Sequence, residues 1–497
     1  MPFVERKRFV RRKDEERRGW GWGSYGGYTY SALEHRVRRL AHAVSLPLAV
    51  AIAVVFALAA LGAFAVVKPY VSVRVDPDVY SLLSERGSAE VYVSSEAPLP
   101  IGAERVWRFG NLYVYKAVVR STGEVEALLN TPGVKSVYAE KKLRPAVVSY
   151  SASGYDLSRD VDNEFHEAVG AWTGRGVVVA IIDTGIDYTH PDFFDERNNS
   201  AVRLLVSVLY RKGSQPYVVW DFSKNGSVSS LLAFDKRYWE EYGEPAFLDA
   251  NGHGTHVAGI VAGRGWASNG KYKGIAPGAS LVIVKAFDRT GSSSIDLCLT
   301  ALEWVHDNAR SLGIRILSLS WGAYFASDGS DPLSLAVDSI VDEGVWVFVA
   351  AGNAGNAPNT IAVPGVSRKA VTVGAWDAYY DRLAPFSSLG PTVDGRMKPD
   401  FAGAGVMTVA PKSAYAQLPQ VPTLAQLGDR YIPMSGTSMS TPCVAGVAAN
   451  FIEYYERCCG RSPTLQDFVN WMVTNGRRVN AFYKDFITGW GIPLSPR

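Results

Sequence analysis

The chain has 497 residues, of which 47% are hydrophobic and 20% charged, and its formal net charge at neutral pH is +3. This length corresponds to about two to four folding units. The apolar content excludes a disordered or fibrous protein, and the small net charge disfavours a nucleic-acid coat protein. With four cysteines, the chain is not a disulfide-based scaffold. The composition is that of a large globular protein, with or without a membrane attachment.

An apolar segment at residues 45–67 is the first strong feature along the chain. Residues 46–67 have no charged or polar side chain, and a helix of this length can cross a hydrocarbon core of about 30 Å. The tail before it, residues 1–44, holds 11 Lys and Arg against five Asp and Glu. The positive-inside rule therefore predicts a cytoplasmic N-terminus and a single-pass membrane protein. Cleavage after the small-residue run 63–65 would instead make the segment a signal peptide and secrete the protein.

The tail itself is basic and of low complexity. Its second part, residues 19–30, reads GWGWGSYGGYTY. Such segments can bind anionic lipid or nucleic acid, but the simpler interpretation is a disordered tail whose charges set the topology. We expect no nucleic-acid partner.

Residues 70–148 predict a small α+β domain. Its elements are strands and one helix, recognised by alternating apolar residues and by a helix stop at TPG: 89–93, 112–115, 124–130 and 134–138. Two strands, a helix and a further strand fit a ferredoxin-like arrangement. The small polar residues that follow, up to about residue 154, predict a linker or cleavage region.

From about residue 150 to residue 497 the pattern changes to apolar strands alternating with amphipathic helices. Continuous apolar runs, typical of parallel strands buried on both faces, occur at 177–182, 281–286, 314–319 and 345–350. One helix is marked by apolar residues at helical spacing: Ile295, Cys298, Leu299, Leu302 and Val305. The alternation predicts a three-layer α/β fold around a doubly wound parallel sheet.

Three short motifs lie at the ends of predicted strands and helices. Open α/β sheets place their active and binding sites at such ends. The motifs are DTGID at 183–187, NGHGTHVAG at 251–259 and SGTSMSTP at 435–442. In this order, and with AAGN at 350–353, the sequence resembles the subtilisin-like serine proteases, or subtilases, over about residues 165–495. Residues 70–148 are similar to the inhibitory propeptide of that family.

The resemblance implies a role for each motif. Ser438 would be the nucleophile, His253 its general base and Asp183 the group that orients the imidazole. The oxyanion hole would consist of the Asn353 side chain and the Ser438 backbone N–H. Further positions would form the substrate-binding strands and the pocket floor: Ser320, Trp321, Gly322, Ala350, Ala351, Gly352 and Ala362.

Several motif residues have simpler interpretations beside the functional ones. His253 and His256 lie three residues apart and could bind zinc, but no third ligand is evident, so a packed helix histidine is the better interpretation of His256. Asp187 is interpreted as a turn residue, and Ser435 and Ser440 as capping and packing hydroxyls.

The resemblance to the subtilases also predicts the substrate preference and a structural ion. A small residue at Ala362 leaves room for a bulky apolar substrate side chain, unless Trp321 crowds the pocket. The mechanism requires no cofactor. Calcium is a candidate structural ion, because Asp192 aligns with a ligand position of the family.

An insertion at about 197–248, rich in aromatic and charged residues, would cover the cleft, bind a partner or extend the surface.

The sequence thus predicts a membrane-anchored serine endopeptidase with its catalytic domain outside the cytoplasm, made as a self-processing zymogen. Its partners would be protein or peptide substrates, its own propeptide as an intramolecular inhibitor cut near residues 143–155, and the membrane through residues 45–67. The alternative function is a catalytically silent binding or scaffold protein on the same fold. A third interpretation, a cytoplasmic peptidase, applies if residues 45–67 do not enter a membrane.

Overall fold

The computed structural model describes residues 74–149, 172–210, 215–224, 227–417, 428–479 and 483–496, which belong to one compact unit, Tyr70–Arg497. The predicted tail at 1–44 and the apolar segment at 45–67 lie outside these residues. In the described part of the chain no helix is long and apolar enough to cross a membrane. This finding corrects the predicted localisation as a single-pass membrane protein. Even the longest helix, Thr437–Cys459 with 23 residues, has a hydroxyl-rich first turn and charged last turns.

The small domain begins with helix α1 (Pro77–Arg86), which the sequence did not reveal. Strands β1 (Ala89–Ser95), β2 (Arg105–Phe109) and β3 (Leu112–Val119), helix α2 (Thr122–Asn130) and strand β4 (Val134–Ala139) follow. The antiparallel sheet has the order β2-β3-β1-β4. Asp76 caps α1 and Ser121 caps α2, each by accepting a hydrogen bond from a first-turn backbone N–H. The helix at 124–130 and the strands at 89–93, 112–115 and 134–138 therefore lie where the pattern predicts them.

Alternation along β1 gives the small sheet two apolar faces. Val91 and Val93 pack with α1 and α2 in one cluster, whereas Tyr92 between them points the other way and joins the core of the large domain. Trp107 of β2 lies on the same far face, and its indole N–H donates to Thr300 Oγ1 at 3.1 Å. A sheet of this size with a second apolar face needs a partner surface, and the large domain supplies it.

The large domain is built on a sheet of order β15-β14-β13-β11-β6-β9-β7-β8, with β16 beside β14. Its strands are β6 (Val178–Asp183), β7 (Val202–Ser207), β8 (Val218–Asp221), β9 (Ser280–Lys285), β11 (Ile314–Leu319), β13 (Trp346–Ala350), β14 (Val371–Asp377), β15 (Arg382–Leu383) and β16 (Phe401–Ala404). All neighbours pair in parallel except at the antiparallel edges, β7 with β8 and β14 with β15. The predicted apolar runs match β6, β9, β11 and β13.

Helices cover both faces of this sheet and complete the predicted three layers. One face carries α4 (His253–Ala262), α7 (Thr437–Cys459) and α8 (Leu465–Asn475), whose apolar side chains share a core with the sheet. The other carries α5 (Ile295–Leu312) and α6 (Pro332–Asp342). The five apolar residues that predicted α5 are all buried. A short antiparallel pair, β17 (Thr408–Pro411) and β18 (Tyr431–Met434), precedes α7.

Two segments differ from the sequence-based expectation. Residues 197–248 are not only an insertion on the surface, because they contribute β7 and β8 to the main sheet and helix α3 (Val228–Tyr242), which buries Leu231 and Asp235. The last residues of the predicted small domain, 142–148, leave its sheet and pair with the large domain. Strand β5 (Lys142–Pro145) pairs antiparallel with β10 (Ser293–Ser294) on one side and β12 (Trp321–Gly322) on the other.

Candidate active site

Asp183, the predicted orienting carboxylate, and His253, the predicted general base, meet at the carboxyl edge of the main sheet. Asp183 is the last residue of β6 and His253 the first residue of α4. Asp183 Oδ1 lies 2.7 Å from His253 Nδ1, and both side chains are at most 2% exposed. Asp183 Oδ1 also accepts the Thr184 backbone N–H at 2.7 Å. The imidazole is therefore held by a buried carboxylate, and its Nε2 has no hydrogen-bond partner within the described residues.

Glycines allow this close approach of β6 and α4. Gly185 has φ +109°, and a Cβ there would lie 2.4 Å from the Phe247 carbonyl oxygen. A Cβ on Gly254 would lie 2.2 Å from the Gly185 carbonyl oxygen. A side chain on Gly254 would push the first turn of α4 away from the turn after Asp183, and one on Gly185 would push that turn away from the segment at residues 247–248. The glycines of both motifs are thus explained by backbone packing.

Ser438 is the second residue of α7 and is fully buried. Its Oγ donates to the Ser320 carbonyl at 2.6 Å, and the Ser320 hydroxyl donates to the Ser438 carbonyl at 3.0 Å. The Ser438 backbone N–H donates to the Ala146 carbonyl at 3.1 Å. A carbonyl of the chain itself therefore lies against the predicted nucleophile.

Asn353 follows β13 on the side of the cleft next to α7. Its Oδ1 accepts two hydrogen bonds from Thr437, one from the backbone N–H and one from Oγ1, both at 2.9 Å. Because these donors occupy the oxygen, the orientation of the amide is fixed and Nδ2 is left as a hydrogen-bond donor.

Segment 142–148, defined here as the cleft strand, lies between β12, which belongs to the predicted substrate-binding residues, and β10, which was not predicted to take part. In β5, Arg144 and Pro145 pair with Gly322 and Trp321. Beyond β5, Ala146 N donates to Ser320 O at 3.0 Å and Val148 N to Ser435 O at 2.9 Å. The cleft strand thus binds by backbone hydrogen bonds on both sides of Ser438.

The sequence matches the model of the subtilase family, Peptidase S8, over residues 174–491. The chain belongs to the subtilase family. It is 36% identical to serine protease AprX of Bacillus subtilis over 61% of this chain and 62% of AprX, and 34% identical to subtilisin Savinase of Lederbergia lenta over 56% of this chain and 76% of Savinase. Pyrolysin of Pyrococcus furiosus is 30% identical over 60% of this chain. The chain thus spans 62% of the length of AprX and 23% of that of pyrolysin.

A solved structure agrees on the fold. The Clostridium perfringens CspB protease superposes with a TM-score of 0.53 at 17% identity, covering 68% of this chain and 94% of that structure. At this identity the likeness concerns the fold alone.

A buried carboxylate that the sequence did not single out joins the first two motifs. Asp249, four residues before His253 and fully buried, accepts hydrogen bonds from Thr184 Oγ1 at 2.9 Å and Gly252 N at 2.7 Å through Oδ1, and from Thr255 N at 2.8 Å through Oδ2. It ties the turn after Asp183 to the start of α4. It stands three residues before the N-cap, Gly252. An acidic side chain close before a helix start is favoured by the helix dipole, and this signal could have identified it.

A buried lysine supports the same turn from the other side. Lys285, the last residue of β9, donates to the Thr184 carbonyl at 2.7 Å and the Leu248 carbonyl at 2.9 Å, and forms a 2.9 Å ion pair with Glu244. Asp235 of α3 in turn accepts from Phe247 N at 2.8 Å, and its burial raises the pKa of that carboxyl. Residues 197–248 therefore contribute to holding the acid–base pair as well as to the sheet.

The other singled-out motif residues are structural. His256 Nε2 lies 3.1 Å from the Thr408 carbonyl and 3.0 Å from the Ile432 carbonyl, and burial lowers the pKa of the ring to about 3. Asp187 accepts hydrogen bonds from Thr189 and the Ala414 backbone. Ser435 Oγ accepts from Met407 N at 2.9 Å. These positions stabilise turns and packing around the cleft.

Asp192 does not fit the calcium ligand that the resemblance implied. It is fully buried, its Oδ1 accepts from Ala267 N at 3.0 Å, and its Oδ2 accepts from the Tyr431 hydroxyl at 2.7 Å. Calcium takes about six to eight oxygen ligands, and no group of three or more His, Cys, Asp or Glu residues suited to a metal occurs in the part of the chain that the structure describes. Both carboxylate oxygens are committed to protein donors instead.

Trp321 does not crowd the cleft. Its side chain is fully buried, its indole N–H donates to the Ile182 carbonyl at 2.9 Å, and its ring packs on Phe287. The backbone of β12 pairs with the cleft strand. The tryptophan belongs to the core behind it.

Proposed function

We propose that the chain is a serine endopeptidase in which Ser438 is the nucleophile, His253 its general base and Asp183 the carboxylate that orients the imidazole. The observation that carries this proposal is the 2.7 Å contact between Asp183 Oδ1 and His253 Nδ1, at the edge where α7 presents Ser438. A carboxylate at Nδ1 holds the proton on that nitrogen and leaves Nε2 as the base.

The reaction begins when Ser438 Oγ turns from the Ser320 carbonyl towards His253 Nε2. His253 takes the hydroxyl proton while Oγ attacks the substrate carbonyl carbon. The oxyanion then receives hydrogen bonds from Ser438 N and Asn353 Nδ2. His253 protonates the leaving amine, and a water molecule repeats the sequence to release the acyl group from Ser438.

Covalent labelling tests the proposed nucleophile. A dialkyl fluorophosphate reacts with an activated serine by forming a phosphoester and losing fluoride. We expect one adduct per self-processed chain, located on Ser438 by peptide mass spectrometry, and no adduct in His253→Ala. An adduct on a different residue, or no adduct on a folded and processed chain, would refute the assignment.

We further propose that residues 74–146 act as the chain's own inhibitory propeptide. Three kinds of contact support this: β5 fills the cleft, the far face of the small sheet packs on α5 and α6, and Glu140 Oε1 accepts the Ile295 N–H at 2.9 Å. The last contact satisfies a first-turn N–H of α5 with a side-chain oxygen of the small domain. A propeptide bound this way blocks the substrate strands directly.

The cleft strand points to one scissile bond, Ala146–Val147. The Ala146 carbonyl is the one that meets the Ser438 N–H at 3.1 Å, and hydrogen bonds from Ala146 N and Val148 N fix the strand on either side. Attack by Ser438 on this carbonyl would release Val147 as a new N-terminus. This bond falls inside the window of residues 143–155 that the sequence suggested.

The contact between propeptide and α5 is expected to weaken as pH rises. Burial raises the pKa of Glu140, which shares the Tyr92 hydroxyl with Asp296 and therefore faces a second carboxylate. Lys116, 2.9 Å from Asp296, is the nearby cation. Since the bound carboxyl has the higher pKa, its contribution to binding is present below the ordinary glutamate pKa of about 4.3 and is lost as pH rises through the raised pKa.

The association of the cut pieces measures this effect. After self-processing and blocking with fluorophosphate, we expect more propeptide to co-elute with the large fragment at pH 4.5 than at pH 7. Glu140→Gln, which keeps an acceptor for Ile295 N but removes the charge, is expected to retain more propeptide at pH 7. The exposed Glu126 on α2 provides the matched control, Glu126→Gln. Equal retention by Glu140→Gln and wild type at both pH values would contradict the account.

A further inference from the structure

The first specificity pocket is defined here as the space between residues 320–322 and residues 350–352, its two walls, with Ala362 at its floor. The walls approach one another closely around Ala362. A Cβ placed on Gly322, in β12, would lie 3.1 Å from the Ala362 Cβ, and a Cβ placed on Gly352, after β13, would lie 2.9 Å from the same methyl group. One methyl group therefore lies within contact distance of both walls. Gly352 has φ +102°, so a side chain there would be strained as well as obstructed.

Tyr324 crosses from one wall to the other. It lies two residues after Gly322, yet its hydroxyl accepts the backbone N–H of Asn353, one residue after Gly352. A Cβ on Gly352 would lie 2.8 Å from that hydroxyl oxygen and 3.0 Å from Ser388 Oγ. The tyrosine side chain therefore occupies space between the ends of the two walls.

The cleft strand carries side chains that match a shallow first pocket. Ala146, whose carbonyl meets the Ser438 N–H, has only a methyl group to place between the walls. Three residues earlier, Leu143 is fully buried and joins the apolar core that includes α5, while Lys142 and Arg144 on either side of it are exposed. The apolar anchor of the cleft strand is thus Leu143.

We propose that Tyr324 and Ala362 limit the residue before the scissile bond to a small side chain such as alanine. This inference rests on the proposed peptidase function. It replaces the expectation of a bulky residue in the first pocket, which considered the size of Ala362 but not the approach of the walls or the side chain of Tyr324.

Paired peptides based on the cleft strand test the inference. The self-processed full-length chain is assayed with acetyl-Leu-Arg-Pro-Ala-p-nitroanilide and with the same peptide ending in Phe. We expect kcat/KM to favour the Ala peptide by at least about 30-fold, within the range that pocket misfit can generate. Tyr324→Ala and, separately, Ala362→Gly should raise kcat/KM for the Phe peptide at least about tenfold, with a smaller change for the Ala peptide.

Two control variants separate pocket volume from other effects. Tyr324→Phe keeps the ring and should keep the preference for Ala, whereas loss of the preference would assign it to the hydroxyl and overturn the volume argument. The exposed Tyr483, 62% accessible, provides Tyr483→Ala, which should behave as wild type. Thermal melting establishes that each variant is folded.

The outcomes distinguish this inference from the function on which it rests. If folded, processed wild type cleaves neither peptide and does not degrade casein, the proposed peptidase function fails. If it cleaves the Phe peptide as fast as the Ala peptide, the function stands and the small-residue pocket is refuted. If wild type prefers Ala but neither Tyr324→Ala nor Ala362→Gly gains activity on Phe, the two residues are not the cause and the inference is likewise overturned.

Discussion

The Ser438→Ala chain is expected to fold, to retain its propeptide and to hydrolyse casein about a million-fold more slowly than the processed wild type. The substitution removes Oγ, whose hydrogen bond to the Ser320 carbonyl is worth about 1 kcal/mol to the fold. Catalysis loses far more, because no acyl-enzyme can form. The magnitude is that known for subtilisin itself, carried over to this member of the family.

Ser440 offers a matched control on the same helix. It is two residues further along α7, is equally buried, and its Oγ has no hydrogen-bond partner among the described residues. Ser440→Ala should therefore process itself and hydrolyse casein at a rate close to that of wild type. Casein hydrolysis by Ser438→Ala at a rate comparable to Ser440→Ala would mean that another residue is the nucleophile.

Asp183→Asn is expected to lower kcat by about 10⁴-fold with a small change in KM. The asparagine has nearly the same shape, so the 2.7 Å contact with His253 Nδ1 can persist with the amide as donor. The imidazole proton then moves to Nε2, which leaves no base facing Ser438. Steady-state kinetics with a peptide p-nitroanilide separates kcat from KM.

Asp187 is the control for this second substitution. It lies four residues along the same turn, is also buried, and accepts from Thr189 N through Oδ1 and from Ala414 N through Oδ2. An asparagine keeps one of these two hydrogen bonds, so the substitution disturbs the turn without touching His253. Asp187→Asn should retain kcat. A loss of equal size in both variants would indicate that the turn is disrupted and that orientation of His253 is not the specific role of Asp183.

The fold of the large domain could be predicted because its physical signals are local. A strand buried on both faces has to be apolar throughout, as in β6, and the buried face of α5 has to recur at helical spacing. The glycines in the motifs around Asp183 and His253 reflect backbone contacts as close as 2.2 Å for an added Cβ. Backbone contacts this close require glycine, so they are visible in the sequence. The order of the motifs then identifies the subtilase family.

The contents of the cleft could not be predicted, because they depend on contacts between distant segments. Nothing in the sequence of residues 142–148 indicates pairing with both β10 and β12, since strand partners more than a hundred residues apart leave no local pattern. Residues 148–154 were expected to start the linker, yet Val148 still bonds to Ser435. The hydrogen bond from Asn353 N to the Tyr324 hydroxyl also joins segments that are distant in sequence, so no local pattern predicts it.

The residues that support the acid–base pair illustrate an intermediate case. Asp249 could have been suspected of supporting the first turn of α4, because it lies three residues before the N-cap Gly252 and can accept from nearby backbone N–H groups. The role of Lys285 could not have been predicted, because a lysine at the end of a strand is ordinarily solvated. Only the fold buries it against the Thr184 carbonyl and Glu244. For the same reason, the sequence of residues 197–248 did not indicate that part of this segment supports the site.

Self-cleavage by Ser438 is detected at the N-terminus of the folded chain. Edman sequencing and intact mass of wild type, beside Ser438→Ala treated identically, report whether the chain cuts itself and where. The account predicts a fragment that begins at Val147 in wild type and an uncut Ala146–Val147 bond in Ser438→Ala. A folded wild type in which this bond stays intact, or a Ser438→Ala chain that is cut there by itself, would contradict it.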